Sequence, residues 1–239
     1  TMSSSATEQG LWYRATLPLS QQVIVDVGAH TGELSQLFWE AGAGTSRVIS
    51  VEPLSENVAR IRERIRRTGA TGWTVQPCAV SSAEGQAQLL VARLPTGSWN
   101  SVLSRRAGQA RRGVSLRSAP MKRLSTLVPD ATVVKLDIEG HEYEVLEDAL
   151  PSLPSVHTWA LELHWVRDRP LEEVLALLSE HGYALLAAGR DPADPQGPWR
   201  STPIAPDLGW EKIPVAKQHA DGTTFKMLHL IASRLGQAR

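Results

Sequence analysis

The 239-residue chain has one cysteine, Cys78, which excludes an internal disulfide and leaves too few thiols for a structural zinc site. It carries no excess of either charge, with 25 Lys and Arg against 25 Asp and Glu. No global field therefore draws it to nucleic acid or to an anionic membrane. No stretch approaches the roughly 18–20 apolar residues that cross a bilayer. The opening TMSSSATEQG lacks the basic-then-apolar order of a secretory signal. With a lone thiol, these absences lead to an expected cytoplasmic location and no membrane partner. No repeat of solenoid length is present either.

What is there is ordinary in bulk and ordered in detail. Hydrophobic content of 42% and charged content of 21% fit a globular protein, and the length suits one α/β domain over 1–239. Residues 1–10 read as poorly ordered. Short, β-branched apolar runs occur at QVIVDVG (22–28), SRVISVEP (46–53), GWTVQPCAV (72–80), ATVVKLD (131–137), VHTWALELHW (156–165), GYALLAA (182–188) and TTFKMLHLIAS (223–233). Helical patterns fall between them at 35–43, 55–68 and 170–182, the last with Leu171, Val174, Leu175 and Leu178 on one face. Strand–helix alternation with an irregular connection before the last run predicts an α/β fold: a doubly wound, Rossmann-like, seven-stranded sheet with an antiparallel last strand. Residues 93–118 and 189–222 read as irregular insertions on the substrate side.

In such sheets ligands bind beyond the carboxyl ends of the strands, and the unusual polar clusters of this chain fall at those ends. DVGAHTG (26–32) is a strand, a turn with Gly28 and Gly32, and a helix start. Glycine lets the backbone bend and approach a ligand closely, and the helix start offers unpaired N–H groups. Glu52, followed by Pro53, ends the second strand where an acid can accept hydrogen bonds from ribose hydroxyls. The spacing is neither G-x-G-x-x-G nor a P-loop. An Asp at position 26 repels a pyrophosphate but suits a ligand with cationic groups, which favours S-adenosylmethionine over NAD. The lone Cys78, with Ala79, falls at the third strand's end near the expected adenine; Cys78 reads as packing rather than chemistry.

VVKLDIEGHEYEVLED (133–148) crowds Asp137, Glu139 and Glu142 around one glycine, at a cost unless something cationic offsets the repulsion. Taken with VIVDVGAHTGELS, VEP and CAVSSAEG, this run resembles the FkbM-type S-adenosylmethionine-dependent methyltransferases. Lys135, Asp137, Glu139, Gly140 and Glu142 match that family's fourth-strand signature in order, and the likeness spans residues 23–165. His30 stands where the family usually has Asn. The resemblance implies a class I methyltransferase fold and S-adenosylmethionine held by Asp26, Gly28, His30, Gly32, Glu52, Pro53, Cys78, Ala79 and Asp137. It places Asp137 beside the sulfonium.

Glu162 and His164 are two apart on one strand and share a face. A His beside carboxylates can exchange a proton near neutral pH, so His164 is the first candidate for a general base, then Glu139, with Glu162 beside them. Asp137, Glu139, Glu162 and His164 also carry the donors of a hard divalent cation; the metal-free reading is preferred. His141, His157, His181, His219 and His229 have no comparable company. Arg105, Arg106, Arg111, Arg112 and Arg117, with Trp99, Trp165, Trp199 and Trp210, read as borders of an acceptor pocket. The resemblance points to a hydroxyl on a saccharide or secondary metabolite. An RNA or peptide acceptor, a non-catalytic cofactor-binding module and an NAD-dependent dehydrogenase rank below it.

Overall fold

The run VVKL (133–136) becomes a strand buried along its whole length, as a parallel sheet covered on both faces requires. The computed structural model describes residues 4–93, 99–103, 114–166, 169–190, 193–194, 196–214, 217–218 and 224–234. Helix α1 (Ser4–Thr16) leads into β1 (Val23–Val27), α2 (Glu33–Ala41), β2 (Arg47–Val51), α3 (Ser55–Thr68), β3 (Trp73–Gln76) and β4 (Ala79–Val80). Three strands follow without helices: β5 (Gly85–Arg93), β6 (Trp99–Leu103) and β7 (Val114–Lys122). Alternation resumes with α4 (Leu124–Leu127), β8 (Val133–Leu136), α5 (Glu142–Ser152), β9 (Thr158–His164), α6 (Leu171–Glu180) and β10 (Tyr183–Gly189). Then come β11 (Arg200–Pro203), a 3-10 turn (Trp210–Lys212), β12 (Lys217–Gln218), β13 (Thr224–Phe225) and β14 (Met227–Arg234).

The main sheet runs β11-β10-β14-β9-β8-β1-β2-β3. Strand β1 pairs in parallel with both β2 and β8, so the strand order reverses there. That reversal opens a crevice at the carboxyl ends. β14 runs antiparallel to β9 and β10, as the sequence predicts. One core packs α5 and α6 on one face of the sheet, through residues such as Leu146, Leu150, Val174 and Leu178. The other packs α1, α2 and α3 through Tyr13, Phe38 and Ile61. On α6 the four residues of the expected apolar face are all buried, worth about 1.5–3 kcal/mol each.

Two expectations are corrected. The sheet has eight strands, not seven, because β11 pairs antiparallel with β10; its RSTP sequence is short, polar and proline-terminated, as an edge strand tolerates. The region 93–118 is not an irregular insertion throughout: β5, β6 and β7 form a second sheet with β4. The alternating Ala87, Leu89 and Val91 bury against Leu54, Ala79 and Ala119. The first helix begins at Ser4, inside the stretch the sequence reads as poorly ordered. α1 buries Trp12 and Tyr13, and an apolar side chain that finds a core repays the ordering of its backbone.

Candidate active site

The loop after β1 and the loop after β8 are stitched together at the crevice. Gly28 has φ 78°, and a Cβ on it would lie 1.8 Å from the Asp137 carbonyl oxygen. Only glycine fits, both for its left-handed backbone and for this approach. The Asp137 N–H donates to the Val27 carbonyl at 3.2 Å, and Lys135 Nζ donates to the Gly28 carbonyl at 3.2 Å. His30 also takes a left-handed conformation, φ 52°. Its N–H donates to Glu52 Oε2 at 3.0 Å. The other oxygen of Glu52 accepts from the Leu54 N–H at 3.0 Å and Asn57 Nδ2 at 3.2 Å. Burial pushes the Glu52 carboxyl up to about 7 against these donors. Pro53 is half-buried beside it, and Cys78 and Ala79 are buried. Burial likewise pushes the Cys78 thiol up to about 11, which makes it unreactive.

Asp26 lies beneath the loop rather than on it. It has no exposed surface; its Oδ2 accepts from Ser35 Oγ at 2.5 Å, and Oδ1 is 3.4 Å from Lys135 Nζ. Ser35 Oγ in turn accepts from Ser50 Oγ, and that hydroxyl accepts from Trp73 Nε1. The cation that Asp26 meets is thus Lys135 of this chain. Lys135 was visible in the sequence only as a family match. It is 2% exposed and bridges Asp26 to Asp137 Oδ2 at 3.2 Å. Burial opposes its charge, but Asp137 and Asp26 outweigh that and hold it protonated.

The fourth-strand cluster resolves into distinct roles. Glu142 is fully buried, and its Oε1 accepts from the Ile138 and Gly140 N–H groups, both at 3.0 Å. It thereby holds the turn in which Glu139 adopts φ 58°, a conformation costing a non-glycine residue about 1–2 kcal/mol. The same oxygen meets His164 Nδ1 at 2.9 Å. His164 Nε2 faces Glu162 Oε1 at 3.5 Å and Glu139 Oε2 at 3.7 Å. Burial alone would lower the affinity of this ring for a proton, yet hydrogen bonds to Glu142 and Glu162 raise it strongly. The expected general base thus sits among three carboxylates, with Glu142 on one ring nitrogen and Glu162 and Glu139 facing the other.

Asp137 keeps 24% of its side chain open. Enclosure and the nearby Glu162 and Glu139 raise its proton affinity against Lys135 and His164. Burial opposes the charge of Glu162, but the hydrogen bond from His164 and the Lys135 charge favour its ionised form. Asp137, Glu162 and His164 bring donor atoms within 4.8 Å of one another, the chemistry of a divalent-cation set. The Lys135 ammonium lies 3.2 Å from Asp137 of the same cluster.

The structure also places residues the sequence left aside. His229 is not isolated: its Nδ1 lies 3.4 Å from Glu162 Oε2 and 3.4 Å from Gln9 Nε2, and Trp199 packs on its ring at 4.7 Å. Register carries the signal, since β14 sets His229 opposite Glu162, and register is not readable from either strand alone. His141 has company as well, with Ser81 Oγ at 2.9 Å and Glu144 Oε2 at 3.5 Å. Trp165 is 45% exposed just beyond His164, while Trp210 is buried in the core. Arg117 pairs with Glu56. Arg105, Arg106, Arg111 and Arg112 lie outside the described residues. Among the described residues no helix is long and apolar enough to cross a membrane.

Comparison with known proteins gives this geometry a family. No curated protein matches the chain. Among solved structures it is similar to a Pyrococcus horikoshii protein described as a transferase, at 11% identity and a TM-score of 0.51, over 98% of this chain and 65% of that one. It is also similar to precorrin-6y C5,15-methyltransferase of Geobacter metallireducens, at 13% identity and a TM-score of 0.49, over 98% and 90% of the two chains. For the magnesium protoporphyrin IX methyltransferase of Synechocystis PCC 6803 the values are 12%, 0.47, 96% and 78%. Such distant likeness speaks to the fold alone. The sequence speaks to more: residues 26–185 match the methyltransferase FkbM domain, a span containing the loop after β1, Glu52 and the whole β8–β9 cluster. The chain therefore belongs to the FkbM family of S-adenosylmethionine-dependent methyltransferases.

Proposed function

We propose that this enzyme transfers the methyl group of S-adenosylmethionine to a hydroxyl of a saccharide or a related secondary metabolite. The observation that carries the reading is the carboxylate cluster at the ends of β8 and β9, opened toward solvent at Asp137 and Glu139 and beside the loop after β1. The donor set fits the cofactor: Glu52 offers carboxylate oxygens to ribose hydroxyls, and Asp137 offers one to an ammonium or sulfonium. When bound, the cofactor supplies an activated methyl on a positively charged sulfur. Asp26 works from below, through Lys135.

In the transfer a carbon–oxygen bond forms as the carbon–sulfur bond breaks, the sulfonium becomes a neutral thioether, and the acceptor hydroxyl loses a proton. Holding the acceptor in line supplies much of the rate. The proton needs an acceptor at the cleft mouth, and His164, already a cation, cannot take it. Asp137 is open there, with its proton affinity raised toward the range a base needs; Glu139 stands next to it. Trp165 offers an exposed ring on which a sugar face can stack. The exposed carboxylates disfavour a polyanionic acceptor such as RNA.

Calorimetric titration with S-adenosylmethionine, S-adenosylhomocysteine and NAD tests the cofactor. Binding of the first two and silence from NAD is expected; binding of NAD alone would overturn the reading. Labelled S-adenosylmethionine offered with methyl glycosides and with a short RNA then tests the acceptor. Transfer to the RNA and not to the glycosides would reject the saccharide reading. Asp137→Asn should slow turnover about 10²–10⁴-fold, the usual contribution of a positioned base.

A further inference from the structure

Glu162 has two oxygens with different company. Oε1 faces His164 Nε2 at 3.5 Å, inside the segment that matches the family. Oε2 faces Gln9 Nε2 at 3.2 Å and His229 Nδ1 at 3.4 Å. Gln9 and His229 both lie outside residues 26–185, so the family match says nothing about them. Gln9 reaches this point because α1 is fastened at the far edge of the sheet. Trp12 Nε1 donates to Ser201 Oγ at 3.0 Å, and Glu8 pairs with Arg190 at 2.5 Å. Trp12 also packs edge-on against Trp199, the ring that covers His229.

We propose that Gln9 is a positioning residue of the methyl-transfer site, its amide holding one oxygen of Glu162 so that the other stays turned to His164 and the cleft, and setting the tautomer of His229 beside it. This rests on reading the β8–β9 cluster as that site. The amide of Gln9 has two N–H bonds. One donates to Glu162 Oε2; the other is within reach of His229 Nδ1 at 3.4 Å and of the Tyr13 hydroxyl at 3.3 Å. When it donates to Nδ1, that nitrogen is an acceptor and the ring proton sits on Nε2. The amide thus sets both the rotation of the carboxylate and the tautomer of the imidazole. Glu162 and His164 face His229 from β9, Lys135 from β8, Gln9 from α1, and Trp199 from the loop before β11. Burial and the two cations keep the ring neutral near pH 7, against Glu162.

Without the amide, Nδ1 is left to the carboxylate alone, and the ring donates to it. Gln9→Met keeps the length of the side chain and a good helix former but removes the donors; Gln9→Ala removes the side chain as well. Nitrogen-15 NMR of the imidazoles in the full chain reads the result without any acceptor. The wild type is expected to show His229 with its proton on Nε2. Both variants should move it to Nδ1. Leu11→Ala, exposed on the same helix, should leave the tautomer unchanged. Superimposable His229 spectra in wild type and Gln9→Met would overturn the proposal, whatever the stability of Gln9→Ala. So would a tenfold loss of S-adenosylhomocysteine affinity in Gln9→Met, because α1 would then be supporting the cofactor pocket. Failure of the wild type to bind S-adenosylhomocysteine would sink the methyltransferase reading instead, and the NMR comparison would still decide the Gln9 contacts.

Discussion

Lys135 and His164 are the two cations around which the carboxylates of this site are arranged, and each is almost wholly buried. Removing one partner from such an arrangement leaves uncompensated charge in a dry place, at a cost of about 3–5 kcal/mol. His164→Asn should therefore destabilise the fold on that scale, with a definite pH dependence. The folded ring binds its proton more tightly than the unfolded one, so its stabilisation is complete below the unfolded pKa of about 6.5 and fades as pH rises through the higher folded value. Denaturant midpoints of wild type and variant should differ most near pH 6 and converge toward pH 10; a gap that widened with pH would show that His164 is not held as the cation. Glu52 follows the same sign. Burial raises it to about 7, so its contribution is complete below about 4.3 and is lost as pH rises through 7. Glu52→Gln should remove this loss between pH 5 and 7, and it should weaken S-adenosylhomocysteine binding about tenfold or more, the scale of a hydrogen bond to a charged group. At this scale the sequence shows which residues carry chemistry but not their charge states. The family run names Asp137, Glu139 and Glu142 alike, and only packing makes Glu142 a brace, Glu139 a rim residue and Asp137 the open carboxylate.

The elements differ in how openly the sequence declares them. Helix α3 spans the same residues its charged pattern predicts, ending at Gly69 in a left-handed cap. The strand at 133–136 is fully buried, as its unbroken apolar run requires. By contrast α1 has little amphipathic order, and its SSSATEQG start reads as a disordered tail. It becomes a helix because Trp12 and Tyr13 find places against Phe38 and Trp199. Trp12→Ala should cost about 3–5 kcal/mol by leaving a cavity and should release the edge strand β11 with it. Hydrogen exchange at the β10–β11 ladder would report this; unchanged protection there would mean that α1 does not brace the edge.

Across the whole molecule the polar row from Ser50 through Asp26, Lys135 and Glu162 to His229 exists only after five strands have been set in register. A ligand bound across the crevice ties together loops from both halves of the sheet and should stabilise the fold cooperatively. S-adenosylhomocysteine at 100 times its Kd should add about 2.7 kcal/mol, raising Tm by about 5–10 °C at this chain length. NAD at the same concentration should raise it by nothing. A thermal shift with NAD alone would reverse the assignment of the loop after β1.

The sequence by itself determined the architecture and the family. Strand runs, helix periods and the order of DVGAHTG, VEP and KLDIEGHE are local properties, and local propensity and periodicity are what a linear text preserves. Only the tertiary structure decided that Asp26 faces inward to Lys135, that His164 lies among Glu142, Glu162 and Glu139, and that Gln9 and His229 meet on Glu162. The reason is physical. Proton affinity depends on the charges and solvent around a group, and those neighbours come from segments up to 220 positions apart in the chain, brought together by strand register that no single stretch encodes.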